Sequence, residues 1–444
     1  MELCVGGAKV SITPPLSIPY LGYVPRQAKF SGIHDHLYAR AMVLDNGDTK
    51  LAIISVDSLG FGNQILGIGR NFTAEVRQKI NDRTGIEPHN VMLACTHAHA
   101  APETMGITRL SDVPEIAPWL EVVMEQLTSA VEIASNNLAP ARLKLGMGQV
   151  ESISHNRRVS GIAAEDQIAQ GLLDTQVGVL FCEGLENNES SVIVNFACHP
   201  VTVQAQPLVS AGYPGVMTEL VEQIVEGCQN CLFLQGAAGN INPIRDDTRD
   251  FADVRRYGMT LAGEALKIIG DLQSPETPVM EPILMAMTDT LHLPIRDLPD
   301  PKPISEAYEQ AMKSLEDTKT EEEKYKALQK AREYKESLDF IEHAAEPVSA
   351  EVQVMRIGDL ALAATPGEMF VQLGLEIKRR SSAPNTFVVE LANGCVGYLL
   401  NAGGFEEGGY ESLPGPWTKV SEEAGRMLVD KSVEITEALW REEQ

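Results

Sequence analysis

Two apolar runs in this chain empty into histidine. Val91-Met92-Leu93-Ala94-Cys95 is followed by Thr96-His97-Ala98-His99, and Val192-Ile193-Val194-Asn195-Phe196-Ala197-Cys198 by His199-Pro200. Short, β-branched, fully apolar runs read as buried strands. In α/β folds ligands and catalytic groups gather where strands end, and neutral imidazole is the commonest protein ligand for zinc. Nine histidines occur in 444 residues, and a lone histidine is ordinarily a satisfied structural residue. Three at the exits of two strands instead outline a candidate metal centre at His97, His99 and His199. If strand geometry continued through His97 and His99, both would point to one face. They would then share one metal or divide into a ligand and a proton-transfer group.

With 44% hydrophobic and 22% charged residues, the chain has an ordinary globular composition and can bury a substantial core. The net charge is -26, from 62 acidic against 36 basic residues, which disfavours nucleic acid and anionic membrane, since both bind a basic face. The start, Met1-Glu2-Leu3-Cys4-Val5, lacks a basic stretch ahead of a long apolar one, and no later run is long enough to span a bilayer. No membrane anchor and a cytoplasmic location are therefore expected. Seven cysteines is an odd number, and Cys95, Cys182 and Cys198 sit inside apolar runs, which fits reduced, buried thiols. Cys228-Gln229-Asn230-Cys231 is a lone CxxC without a second pair and reads as a helix-to-strand connection.

Strand-like and helix-like runs alternate. Strand at 51–56, helix near 72–81, strand at 91, helix near 117–136 and strand at 143 give an α/β pattern, a mixed β-sheet core flanked by helices. Gly212-Tyr213-Pro214-Gly215 leads into a helix over 216–225. Leu232-Phe233-Leu234-Gln235 runs into Gly236-Ala237-Ala238-Gly239-Asn240-Ile241-Asn242-Pro243, whose small residues let the backbone approach a substrate or a neighbouring strand. Residues 303–344 shift to a strongly charged composition, with Glu321-Glu322-Glu323-Lys324, and read as a solvated helical hairpin inserted into a single domain spanning 1–444. That hairpin is a candidate contact surface for a homo-oligomer. Strands at 352–357 and 360–364 precede Thr365-Pro366-Gly367-Glu368 and a helix through Lys378. Taken alone, Glu368 reads as a partner of that helix's dipole.

Thr96-His97-Ala98-His99-Ala100-Ala101-Pro102 resembles the Thr-His-Thr-His-Ser-Gly-Pro signature of the neutral ceramidase family, and further segments match that family in the same order. They are Gly32-Ile33-His34 and its continuation to Ala41, Phe196-Ala197-Cys198-His199-Pro200, Pro366-Gly367-Glu368, and Leu391-Ala392-Asn393 through Tyr398 with Tyr410-Glu411 beyond. The resemblance spans roughly residues 6–417, with the acidic hairpin fitting poorly. It implies a ceramidase-like catalytic domain whose zinc ligands are His97, His199, Glu368 and Tyr398, with His99 as proton shuttle. It also implies that Arg157, in Ser154-His155-Asn156-Arg157, holds an anionic or polar group of the substrate. Nitrogen ligands with a carboxylate and a phenolate suit Zn2+, which lowers the pKa of water.

Two departures shape the expected function. The family's Gly-Asp-Val-Ser-Pro is Gly239-Asn240-Ile241-Asn242-Pro243 here, so Asn242 replaces a serine. An amide can donate to an oxyanion but cannot attack as an activated hydroxyl, which leaves water as the nucleophile. The chain also ends soon after the Tyr398 segment, so no C-terminal immunoglobulin-like domain and no secretion signal are expected. The expectation is a zinc-dependent amidase acting on the C–N bond of a small polar molecule. Asn242 and the Gly236, Gly239 and Asn240 backbone would support the oxyanion, His99 would protonate the leaving amine, and His34 would line the substrate site. A carboxylesterase is the nearest variant. A binding protein that keeps the metal but does not turn over is the alternative from another class, and a purely structural role for the histidines is a third. Asp35 and Asp57 are candidates for a second ion, each with an equally plain structural reading.

Overall fold

The computed structural model describes residues 2–18, 29–67, 69–107, 114–185, 189–204, 206–245, 250–344 and 348–441. Within them one topological unit, strand-strand-strand-helix-strand-helix, occurs three times. The first unit has strands Cys4–Ser11, Tyr38–Asp45, Lys50–Val56 and Val91–Cys95, with helices Phe72–Thr84 and Ile116–Asn136. The second has Ala139–Gln149, Gln176–Gly184, Ser190–Phe196 and Cys228–Gln235, with Gly212–Ile224 and Phe251–Leu272. Leu284–Leu293, Val348–Ile357, Leu360–Ala364 and Asn385–Val389, with Val371–Arg380 and Glu422–Arg441, make the third.

In each unit the first three strands pair antiparallel and the fourth joins the third in parallel across a helix, as a parallel connection requires. The first two units share one sheet through a short join, Cys4↔Pro140 and Val5↔Ala139. Each unit covers one sheet face with its helix pair. The opposite faces meet in a shared core containing Met42, Ile53, Met92, Leu180, Ile193, Leu234, Leu362 and Phe387. Burial on both faces explains why the histidine-bearing strands are continuously apolar rather than alternating.

The expected mixed, helix-flanked α/β fold is what the chain adopts, and strand and helix positions agree to within a few residues. The helix expected over 216–225 is Gly212–Ile224. Cys228 opens a strand, all seven cysteines are free thiols, and burial pushes the Cys228 thiol up to about 12. The charged segment forms helices Pro301–Glu316 and Glu321–His343 between the first and second strands of the third unit. Thr320 and Glu323 make a capping box at the second helix, satisfying two amides at its start. No helix among the described residues is long and apolar enough to cross a membrane.

Candidate metal centre

The repeated topology brings strand exits from all three units together. His97 lies two residues beyond the fourth strand of the first unit, His199 three beyond the third strand of the second, and Glu368 four beyond the third strand of the third. Strand geometry does not continue through His97. The strand stops at Cys95 and His97 takes a left-handed conformation, φ 65°, which costs an L-residue about 1–2 kcal/mol. Thr96 N–H to Val56 O at 2.9 Å and Ala98 N–H to Ser58 O at 3.1 Å hold the kink. It turns the His97 and His99 rings toward each other, with centroids 4.5 Å apart and Nε2 to Nε2 at 3.1 Å. One metal-ligating nitrogen from each of His97, His99 and His199 lies within 4.8 Å of the others.

Two carbonyls fix the tautomers. His97 Nδ1 meets Leu59 O at 2.7 Å and His199 Nδ1 meets Ala238 O at 2.6 Å. A carbonyl only accepts, so both Nδ1 atoms carry hydrogen, and in the neutral ring Nε2 is the atom left with a lone pair. Burial, then His97, pushes the His199 pKa down to about 4, so its ring is neutral at pH 7. Glu368 Oε2 lies 3.1 Å from His199 Nε2 and 3.4 Å from His97 Nε2. Burial opposes ionisation of Glu368, and only N–H-bearing or positive neighbours at His199 and His97 lower its pKa, a part that a cation plays once both Nε2 atoms are unprotonated. Three acceptor atoms therefore converge with no proton assigned between them. A cation relieves that repulsion, and histidine with carboxylate is the donor chemistry that zinc takes.

Glu368 is not in the first turn of a helix, as its dipole reading required. It opens the two-residue strand Glu368–Met369, which pairs in parallel with Tyr398–Leu399 so that Glu368 and Tyr398 are direct register partners. Burial first, then Glu368, pushes the Tyr398 phenol well above its ordinary pKa, against the pull of Arg157. Arg157 Nη2 donates to Tyr398 Oη at 3.2 Å and to Gly239 O at 2.7 Å. Its Nη1 donates to Asn242 Oδ1 at 3.0 Å and its Nε to Glu411 Oε1 at 2.8 Å. All three guanidinium nitrogens are thus engaged within the protein. The same contact fixes the Asn242 amide with its oxygen toward Arg157 and its NH2 turned the other way.

The Gly236–Asn240 loop also departs from expectation. Gly236 N–H donates to Phe196 O at 2.8 Å and Gly239 N–H to Met369 O at 2.7 Å, so neither amide faces a substrate. Both ends of the Asn240 side chain are spent, on Gln372 and on Val371 N–H. Gly239 is small for a different reason: a Cβ there would lie 2.5 Å from Glu368 O. His34 stacks on Phe251 with centroids 3.6 Å apart, its Nδ1 2.6 Å from Asp35 Oδ1, and among the described residues no contact joins it to the histidine cluster. Asp35 accepts from Ala211 N–H and Ser210 Oγ–H, while Asp57 pairs with buried Arg40 at 2.9 Å, so protein partners occupy both candidates for a second ion.

Sequence reasoning missed Glu390. It is fully buried just after the strand Asn385–Val389, accepts Met369 N–H at 2.8 Å, and is held well above its usual pKa by burial first. Its only sequence signal is a carboxylate directly at the end of an apolar strand.

The family model for neutral/alkaline non-lysosomal ceramidase, N-terminal, matches residues 3–247, which takes in the first unit and the second up to its last helix. The neutral ceramidase of Pseudomonas aeruginosa is 23% identical, with 98% of this chain aligned to 72% of that protein. The Drosophila melanogaster neutral ceramidase is 28% identical over 49% of this chain and 32% of its own length. The crystal structure of the Pseudomonas aeruginosa enzyme superposes with a TM-score of 0.74 at 22% identity, covering 99% of this chain and 75% of that one. A ceramidase described as complexed with C2 also gives a TM-score of 0.74, at 18% identity. With more than half of its length matched by the family model, the chain belongs to the neutral/alkaline non-lysosomal ceramidase family of hydrolases.

Proposed function

We propose that this protein is a zinc-dependent amidohydrolase that cleaves the C–N bond of a small polar amide with water as nucleophile. The observation that carries the reading is the convergence of His97 Nε2, His199 Nε2 and Glu368 Oε2, with both imidazoles anchored from behind through Nδ1. His97, His199, Glu368 and Tyr398 would hold the ion, Tyr398 standing beside Glu368 by strand register. Zinc, when bound, supplies Lewis-acid polarisation and lowers the pKa of water to near neutrality.

The remaining groups handle orientation and protons. Arg157, braced by Glu411, keeps the Tyr398 oxygen in place and orients Asn242, whose NH2 then serves as donor to charge developing on the carbonyl oxygen. His99 is neutral at pH 7, its pKa held well below the ordinary value by burial and then by His97 and His199. Its buried Nδ1 has no partner among the described residues. Beside His97, the His99 ring can take the proton released by attacking water and return it to the leaving amine.

The close approach of His99 Nε2 to His97 Nε2 favours a second reading, in which His99 is itself a ligand. Zinc content separates the two: His99→Ala keeps zinc and loses turnover if the residue shuttles protons, and loses both if it ligates. The test of function is a panel of short N-acyl amines, N-acyl amino acids, ceramide and carboxylic esters, assayed with and without a chelator. Amide turnover abolished by chelation and restored by zinc supports the reading. Turnover indifferent to chelation, or zinc bound with no turnover across the panel, overturns it, and the latter outcome points to a binding protein.

A further inference from the structure

The strand Asn385–Val389 ends in a turn that bonds the segments bearing His97 and Glu368. Leu391 and Asn393 both have positive φ, 53° and 61°. With His97 they are the only non-glycine residues so strained among those described, and all three sit around the same centre. Non-glycine residues persist in that region only where their surroundings over-determine them. Asn393 N–H donates to Leu93 O at 2.8 Å, Asn393 Oδ1 accepts Leu93 N–H at 2.9 Å, and Leu391 O accepts Cys95 N–H at 3.2 Å. These bonds hold the strand that delivers His97. Leu391 N–H donates to Gly367 O at 3.3 Å, next to Glu368.

Glu390 reaches the Glu368 segment a second time and lies by the Ala238 backbone that anchors His199. Its Oε2 accepts the N–H of Met369 at 2.8 Å, fixing the peptide unit that joins Glu368 to Met369. The N–H of Ala238 faces the same carboxyl and favours its ionised form, and the carbonyl of Ala238 fixes the His199 tautomer. A carboxyl group in a fully buried position is costly, and its Oε1 has no partner among the described residues. An apolar side chain would cost less there if filling space were the whole task.

We propose that the 390–393 turn is a clasp that sets the geometry of the metal centre, with Glu390 the positioning residue for His199 and Glu368. The inference rests on the zinc reading above and adds the group that tunes affinity. Outer-shell partners of this kind change metal affinity by about 10–100-fold when removed.

The test compares zinc affinity, by competition with a chromophoric chelator, in the native chain, Glu390→Met and Glu390→Gln. Methionine matches the size of glutamate but accepts from neither amide, whereas glutamine keeps one acceptor oxygen. Glu390→Met is expected to weaken zinc by about 10–100-fold, with Glu390→Gln staying near the native value. If Glu390→Met does not fold, Glu390→Asp withdraws the carboxyl by one methylene and serves the same comparison. In parallel, imidazole 15N spectra of the zinc-free chains report the His199 tautomer, expected as Nδ1–H in the native and Gln chains and mixed in the Met or Asp chain. Unchanged affinity and tautomer in a folded Met or Asp variant, with only a lowered melting temperature, overturn the clasp. A native chain that binds no zinc overturns the functional reading instead, and the tautomer spectra then decide on the clasp alone.

Discussion

The third strands of the first and second units occupy the same place in the same topology, yet their exits do opposite things. The first ends at Asp57, whose carboxylate is consumed by Arg40 at 2.9 Å and by Tyr38 N–H at 2.9 Å, with Arg40 also paired to Glu222. The second leads to His199, whose Nδ1 is anchored and whose Nε2 is left facing another acceptor. One exit closes on itself as a buried ion pair and the other stays chemically unsatisfied until something binds. Topology supplies the exits, and the partner behind each side chain decides whether it becomes structure or site.

The contrast is broken most severely at His199. His199→Ala should abolish zinc binding and lower kcat/KM by a factor of about 10³ or more, read from metal analysis and amide turnover, with little change in the far-ultraviolet spectrum. Asp57→Ala should do the reverse. Removing one of the two carboxylate partners of a buried arginine costs up to about 3–5 kcal/mol, read as a lower denaturant midpoint, while any folded fraction still binds zinc. If Asp57→Ala lost zinc without losing stability, Asp57 would belong to the site after all.

Acid sharpens the same comparison in the zinc-free chain. Unfolded His199 titrates near its ordinary 6.5 and the folded residue at about 4, so the unfolded chain binds more protons between those values. Its contribution to stability is full above the upper value, is lost as pH falls, and levels off below the lower one. In His199→Ala that part of the slope should vanish from denaturation midpoints measured across this range.

Gly239→Ala is the next smaller perturbation. Its new Cβ would press on Glu368 O from 2.5 Å, which should cost about 1–3 kcal/mol and weaken zinc as well. Least of all, Arg332→Ala in the charged hairpin removes an i,i+4 pair with Glu336 at 2.6 Å, worth about 0.5 kcal/mol, with no effect on zinc.

What could be read in the sequence follows from how local each signal is. The histidine exits were legible because doubly buried strands are continuously apolar and stop abruptly, and the alternation of elements gave the α/β class. The threefold recurrence of one unit was not, because the units share connection order and no evident sequence period. Glu368 carried an ambiguous local signal, since only its pairing with Tyr398 thirty positions later, in a two-residue strand, takes it out of the helix. Arg157, Gly236 and Gly239 drew substrate roles from their type and motif. Their actual partners, Glu411, Phe196 and Met369, lie far off in sequence, so commitment to the protein itself could not be read locally. Glu390 went unnoticed for the same reason.

The measurement that tests the central claim most directly is zinc content by elemental analysis of the native chain and Glu368→Ala, both purified without chelator and reconstituted identically. The account predicts about one zinc per native chain and its loss in the variant. A native chain that takes up no zinc, or a variant that retains it in full, would contradict a metal centre built on these residues.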